Sequence, residues 1–128
     1  MDFLTVGAPA PLQAAGAAAM ALPPSYYTDS AADYRERRDL LCGVLEKTGF
    51  EFRVPDGAYY VLCSTGDLDP AQDSSAYARR IVQDPGIAAV PGTSFYADPE
   101  DGAGQLRFAF PKTLETLHAA AERIAALR

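Results

Sequence analysis

The run LRFAFPKTLETLHAAAERIAAL, Leu106 to Leu127, contains both of the periodicities from which the chain is built. In Leu106-Arg107-Phe108-Ala109-Phe110 the large apolar residues fall on alternate positions. A strand there turns Leu106, Phe108 and Phe110 to one face, and Arg107 with the small Ala109 to the other. Thr113 is placed to cap a helix, in which Leu114, Leu117, Ala121, Ile124 and Leu127 recur as one stripe. A strand passing directly into an amphipathic helix predicts a sheet with helices laid against it.

Working outward, the same two patterns alternate. The Ala-rich segment Pro11 to Leu22 reads as a helix with Leu12, Ala15, Ala19 and Leu22 on one side, stopped by Pro23-Pro24. A second helix is predicted from Ser30, an N-cap with Asp33 three residues on. Its stripe is Tyr34, Leu41, Val44 and Leu45, and Gly49 is its left-handed terminator. A short strand follows at Phe50 to Val54, then a turn at Pro55-Asp56-Gly57 and a strand at Ala58 to Cys63 with both faces covered. Gly66 to Asp73 is a polar loop, and Asp73 or Ser74 caps a third helix carrying Tyr77, Ile81 and Val82, ended by Gly86. Ile87 to Val90 reads as a strand, and Pro91 to Gly104 as a turn-rich stretch holding Phe95 and Tyr96. No internal repeat or low-complexity linker interrupts this order.

Length and composition agree with one globular domain of 128 residues, 48% apolar and 22% charged. A net charge of −6 argues against nucleic acid, which needs clustered Lys and Arg. Arg35, Arg37 and Arg38 are interrupted by Glu36 and Asp39 and read as the solvated face of a helix. No apolar run reaches the roughly 18 residues of a membrane span and no leader pattern opens the chain, so a cytoplasmic protein is expected. Abundant Ala, Arg and Pro, with no Asn or Trp and only two Lys, match a GC-rich bacterial source.

A free-standing enzyme needs a nucleophile, an acid or base, or a metal cluster. His118, the only histidine, borders the apolar stripe of the last helix and reads as a packing or surface residue. Cys42 and Cys63 match no metal or redox spacing and read as buried, reduced thiols. Asp67 and Asp69 read as a solvated turn rather than a cation site. There is no Ser-His-Asp set, phosphate-cradling Gly loop or carboxylate pair with separated pKa values. Arg107 admits two readings: a solvent-facing strand arginine, or a guanidinium at a pocket rim, whose planar fork matches a carboxylate. Ala109 leaves room beside it, and Val90-Pro91-Gly92-Thr93-Ser94-Phe95-Tyr96 can lie over the same edge.

Four strings, DFLTVGAPAPLQ at Asp2–Gln13, PDGAYYVL at Pro55–Leu62, VPGTSFY at Val90–Tyr96 and RFAFPKTLETL at Arg107–Leu117, occur in that order. Together they resemble the last third of a fold type I aminotransferase of the class I/II group. The resemblance implies an α/β small domain with a small mixed β-sheet and helices packed on one face. Residues 1–24 would be a helical segment from the large-domain junction and residues 25–128 the small domain itself. It implies a chemistry in which pyridoxal phosphate carries an amino group from an amino acid to a 2-oxo acid. In that family an arginine on the last strand grips the substrate α-carboxylate, and Arg107 matches its position. Members are usually homodimers, so a homo-oligomer is the expectation.

The resemblance also implies what this stretch lacks. The Schiff-base lysine, the aspartate facing the pyridine nitrogen and the phosphate ligands belong to a part of the family upstream of it. Lys47 and Lys112, the only lysines, stand in no motif like that of the cofactor lysine. The expectation is therefore a truncated aminotransferase with Arg107 as carboxylate anchor, no catalytic residue and no metal, inactive alone. Two alternatives stand beside it: a stand-alone module that binds an amino or oxo acid without turnover, and a structural remnant that self-associates.

Overall fold

Strands β1 (Glu51–Phe52), β2 (Tyr60–Ser64), β3 (Val90–Pro91) and β4 (Gln105–Ala109) form one sheet in the order β1-β2-β4-β3. The computed structural model describes residues 7–127; the opening of the Asp2–Gln13 string and Arg128 lie outside them. The helices are α1 (Ala10–Met20), α2 (Pro24–Thr48), α3 (Ser74–Gln83) and α4 (Leu114–Ala125). By contact density the chain divides into two units, Met1–Ala32 and Asp33–Arg128.

In the first unit, Pro11 sits in the opening turn of α1, where a missing N–H costs nothing. Alanine propensity supports this helix, because none of its residues is buried and Leu12 is 64% exposed. The predicted stripe of Leu12, Ala15, Ala19 and Leu22 therefore lies on the surface of this unit. The next helix does not wait for Ser30. It starts at Pro24, whose φ is already helical, and the Tyr26 amide donates to the Pro23 carbonyl at 3.0 Å. Ser30 is thus interior to α2 and caps nothing. The Tyr27 hydroxyl donates to the Ala19 carbonyl at 3.2 Å.

In the second unit, α2 runs on to Thr48 and Gly49 ends it at φ +106, as its position suggested. The Gly49 and Phe50 amides both donate to the Leu45 carbonyl. The expected α/β architecture follows, with Leu41, Leu45, Tyr77, Ile81, Leu117 and Ile124 from three helices meeting Val61, Cys63, Leu106 and Phe108 of the sheet. Phe50 and Phe108 pack edge to face with centroids 5.4 Å apart. The sheet departs from a mixed one, because all three pairings are antiparallel. β2 and β3 do run the same way, as their crossover through α3 requires, but β4 inserts between them and separates the parallel pair.

β2 differs from its prediction too. It starts at Tyr60, because Ala58 stands at φ +67 and breaks the extended run. Only Val61 and Cys63 are buried, whereas Tyr60, Leu62 and Ser64 on the other face are half-exposed. Asp73 caps α3 by accepting from the Ala76 amide at 2.9 Å, and Thr113 caps α4 by accepting from the Thr116 amide at 3.2 Å. Among the described residues, no helix is long and apolar enough to cross a membrane.

Candidate functional site

Arg107 occupies the middle of β4, with Leu62 of β2 on one side and Val90 of β3 on the other. Two flanking strands hold its backbone, and alternation turns its side chain away from the core that takes Leu106 and Phe108. Tyr60 pairs with Ala109, and that small residue leaves the ring free to lean toward the arginine. The Arg107 guanidinium carbon lies 5.0 Å from the Tyr60 ring centroid and 4.3 Å from that of Phe95. Both distances are within the range of cation–π attraction.

Phe95 comes from the 3₁₀ turn Gly92–Phe95, and a second turn, Pro99–Gly102, holds that one in place. The two meet at Gly92 and Gly102. A Cβ on Gly92 would stand 2.5 Å from the Gly102 carbonyl oxygen, and one on Gly102 would collide with the Gly92 carbonyl group and the Thr93 nitrogen. Nothing larger than glycine fits at either place without a backbone shift. The second turn is anchored in its own right. The Ser74 amide donates to the Ala103 carbonyl at 2.7 Å, the Ser74 hydroxyl to Gly102 at 3.2 Å, and the Thr65 amide to Gly104 at 2.9 Å. Ser75 and Thr93 share a hydroxyl contact at 3.2 Å, and the Tyr96 hydroxyl donates to Gln105 Oε1 at 2.8 Å.

Among the described residues, the salt bridges join Arg37 to Asp33, Arg38 to Asp39 and Arg53 to Asp56, and none reaches Arg107. Arg107 Nε is sealed from solvent without a hydrogen-bond partner. The Nη atoms make no hydrogen bond to a described residue and are not sealed in this way. Among the described residues nothing accepts from its two terminal nitrogens, which are spaced to take both oxygens of one carboxylate.

Three of the other polar residues, Arg37, Arg38 and Asp69, sort differently from their sequence readings. Arg37 and Arg38 are half-buried latches rather than a solvated face, donating to the Lys112 carbonyl at 2.9 Å and the Pro55 carbonyl at 3.1 Å. Asp67 is exposed, but Asp69 is only 7% exposed with Oδ2 unpartnered, because the Gly66–Leu68 turn folds it inward. Burial raises the pKa of the nearby Tyr77 hydroxyl, Arg80 opposes the shift and Asp69 adds to it. Among the described residues, no group of three His, Cys, Asp or Glu could hold a metal ion. His118 is exposed on α4. Cys42 and Cys63 are free and buried; burial raises both thiols, Cys63 to about 12, where it is inert as a nucleophile.

Neither lysine fits a cofactor amine, which needs a desolvated setting. Lys47 is exposed on α2. Lys112 is exposed at the rim of a hollow of about 510 Å³ between α4 and the Gly86–Ala88 segment, where Arg123 is committed to the Gly86 carbonyl at 3.1 Å. Sequence reasoning had singled out Arg107 but neither ring beside it. Phe95 stood in a quoted motif without a role, and the lean of Tyr60 depends on a strand register that no local pattern encodes.

Fold and site together define an α/β domain that presents, on one face of its sheet, an arginine with no counter-charge among the described residues. The chain belongs to the class I and II aminotransferases, whose family model matches residues 1–124. That family depends on pyridoxal phosphate. Methionine aminotransferase of Escherichia coli is 31% identical over 123 residues, which cover 96% of this chain and 31% of that protein. Aspartate/prephenate aminotransferase of Thermus thermophilus is 39% identical over 92 residues, 72% of this chain and 22% of that one. The solved N-succinyldiaminopimelate aminotransferase of Mycobacterium tuberculosis superposes with a TM-score of 0.86 at 28% identity, covering 99% of this chain and 33% of its own. The matched stretches thus cover between 22% and 33% of the length of these relatives.

Proposed function

We propose that this chain is the small-domain portion of a pyridoxal-phosphate-dependent aminotransferase, residues 25–128 forming that domain and residues 1–24 the junction to a larger one. Arg107 grips the α-carboxylate shared by the amino acid and 2-oxo acid substrates, through Nη1 and Nη2. The observation that carries the reading is a guanidinium fixed on a central strand with no counter-charge among the described residues. An arginine kept for packing alone would ordinarily find an acceptor for each buried N–H. The cofactor supplies the chemistry of amino-group transfer when bound. This chain orients the acid end of the substrate, and it turns over nothing by itself. The whole protein acts in the cytoplasm of a bacterium, as a homo-oligomer.

The test is a propionate titration of the purified chain followed by NMR, beside a chloride control. Propionate-specific shifts should centre on β4 and the Gly92–Phe95 turn, and Arg107→Ala should abolish them. A response unchanged in Arg107→Ala refutes the anchor. The DNA upstream of Met1 bears on the wider reading, since an in-frame large domain with a lysine in a cofactor-like context is expected there. A stop codon in its place favours the stand-alone binding module or the self-associating structural remnant.

A further inference from the structure

A half-exposed arginine on an open sheet face ordinarily samples many rotamers, and binding an anion must then bear the cost of stilling it. Arg107 stands in a different situation. Phe95 and Tyr60 lie against its guanidinium at 4.3 Å and 5.0 Å, and its Nε is shut away from water. Neither ring carries charge, so both hold the cation in place without neutralising it. A carboxylate of the chain would hold it too, but would compete with any incoming anion.

Each ring is fixed by something other than the arginine. Phe95 rides on the turn locked by the Gly92–Gly102 contact and by the Ser75–Thr93 hydroxyl pair. Tyr60 is set by the β2–β4 register, by its edge contact with Tyr59 at 5.4 Å, and by the Phe110 amide donating to the Tyr59 carbonyl at 3.1 Å. The two rings come from segments 35 residues apart in sequence, so their meeting at one guanidinium is a product of the fold.

We infer that Tyr60 and Phe95 are positioning residues for anion binding: they hold Arg107 immobile, charged and unpaired, with only its terminal nitrogens offered to a monocarboxylate. The inference rests on the reading of Arg107 as a carboxylate anchor, and it adds the means by which that anchor is kept ready.

The experiment uses the full chain and reads two signals, the Arg107 Nε–H resonance and the affinity for propionate. In the parent, the Arg107 Nε–H should exchange with water more slowly than those of the exposed arginines and lie upfield, displaced by the ring currents. Phe95→Leu and Tyr60→Leu should each speed that exchange and weaken propionate binding by roughly three- to thirtyfold. Phe95→Tyr and Tyr60→Phe keep a ring in place and should stay within about twofold of the parent. Phe95 is 45% exposed, so its replacement leaves the core intact. Leucine variants that keep both slow exchange and parental affinity overturn the inference while leaving the carboxylate anchor standing, as do ring-retaining variants that lose as much as the leucine ones. A parent that gives no propionate-specific response overturns anchor and cradle together.

Discussion

On one face of β4, Leu106 and Phe108 are 0% and 3% exposed and meet apolar side chains from three helices. On the other, Arg107 meets two aromatic rings and no counter-charge among the described residues. The first face is ordered by non-directional burial, in which many neighbours share the work and no single geometry is required. The second is ordered by a few directed contacts around one charge. Substitutions on the buried face should therefore register in stability, and those on the open face in binding. Residues 107 and 108 are adjacent in the chain, so the contrast can be tested across a single peptide bond.

The largest effect is expected at the buried face. Phe108→Ala removes the ring that packs against Phe50 and should cost about 3–5 kcal/mol in urea or guanidinium unfolding. A loss below about 1 kcal/mol would mean that this face is not the true core. Arg107→Ala should do the reverse, weakening propionate binding by about ten- to a hundredfold while changing stability by no more than about 1 kcal/mol. A fall in stability comparable to that of Phe108→Ala would erase the distinction between the faces.

A pH scan sharpens the comparison further. Burial holds the Cys63 thiol at about 12, whereas in the unfolded chain it titrates near the ordinary value of ~8.5. The folded state therefore keeps its proton where the unfolded state gives it up. This contribution to stability is complete below about pH 8.5 and is lost as pH rises toward 12. Buried Cys42 and Tyr77 are shifted in the same direction. Denaturant midpoints should be level from pH 7 to 8 and fall progressively above about 9; in Cys63→Ala the fall should be shallower. The smallest expected effect lies just before Tyr60. Ala58 holds a φ of +67 that glycine adopts freely, so Ala58→Gly should stabilise the chain by about 0.5–1 kcal/mol. A loss of stability there would show that the Ala58 methyl group makes a contact worth more than the strain.

What could be read in advance follows the same division. Alternation placed Leu106, Phe108 and Phe110 together in the core, the 3.6-residue period placed Leu117 and Ile124, and the caps Asp73 and Thr113 fell where their side-chain chemistry puts them. These are local rules, and they act within a few residues. The start of α2 at Pro24 was missed because a proline pair reads as a stop, although the second proline suits a first helical turn. Asp69 was read as solvated because an aspartate in a polar loop usually is, and no pattern announces a turn that folds inward. Arg107 was legible as a lone cation on an alternating strand. Of its surroundings, the Val90–Tyr96 stretch was legible as lying over the same edge, whereas the Tyr60 ring was not, since its place depends on Tyr60 facing Ala109.

The Gly92–Gly102 contact has a consequence for how this site can be inherited. Two backbones meet there with no room for a methyl group on either. Any mutation at one of them pushes on the other, and the push is passed along the turn to Phe95. Neither glycine carries a functional group, yet a lineage that kept Arg107 and lost either one would keep the charge and lose the setting that makes it useful. A variant at these positions would be scored as harmless by any inspection that looks only for side chains near the arginine. What has to be transmitted along with the cation is an absence, the missing side-chain carbon on each of two glycines whose turns close directly on one another.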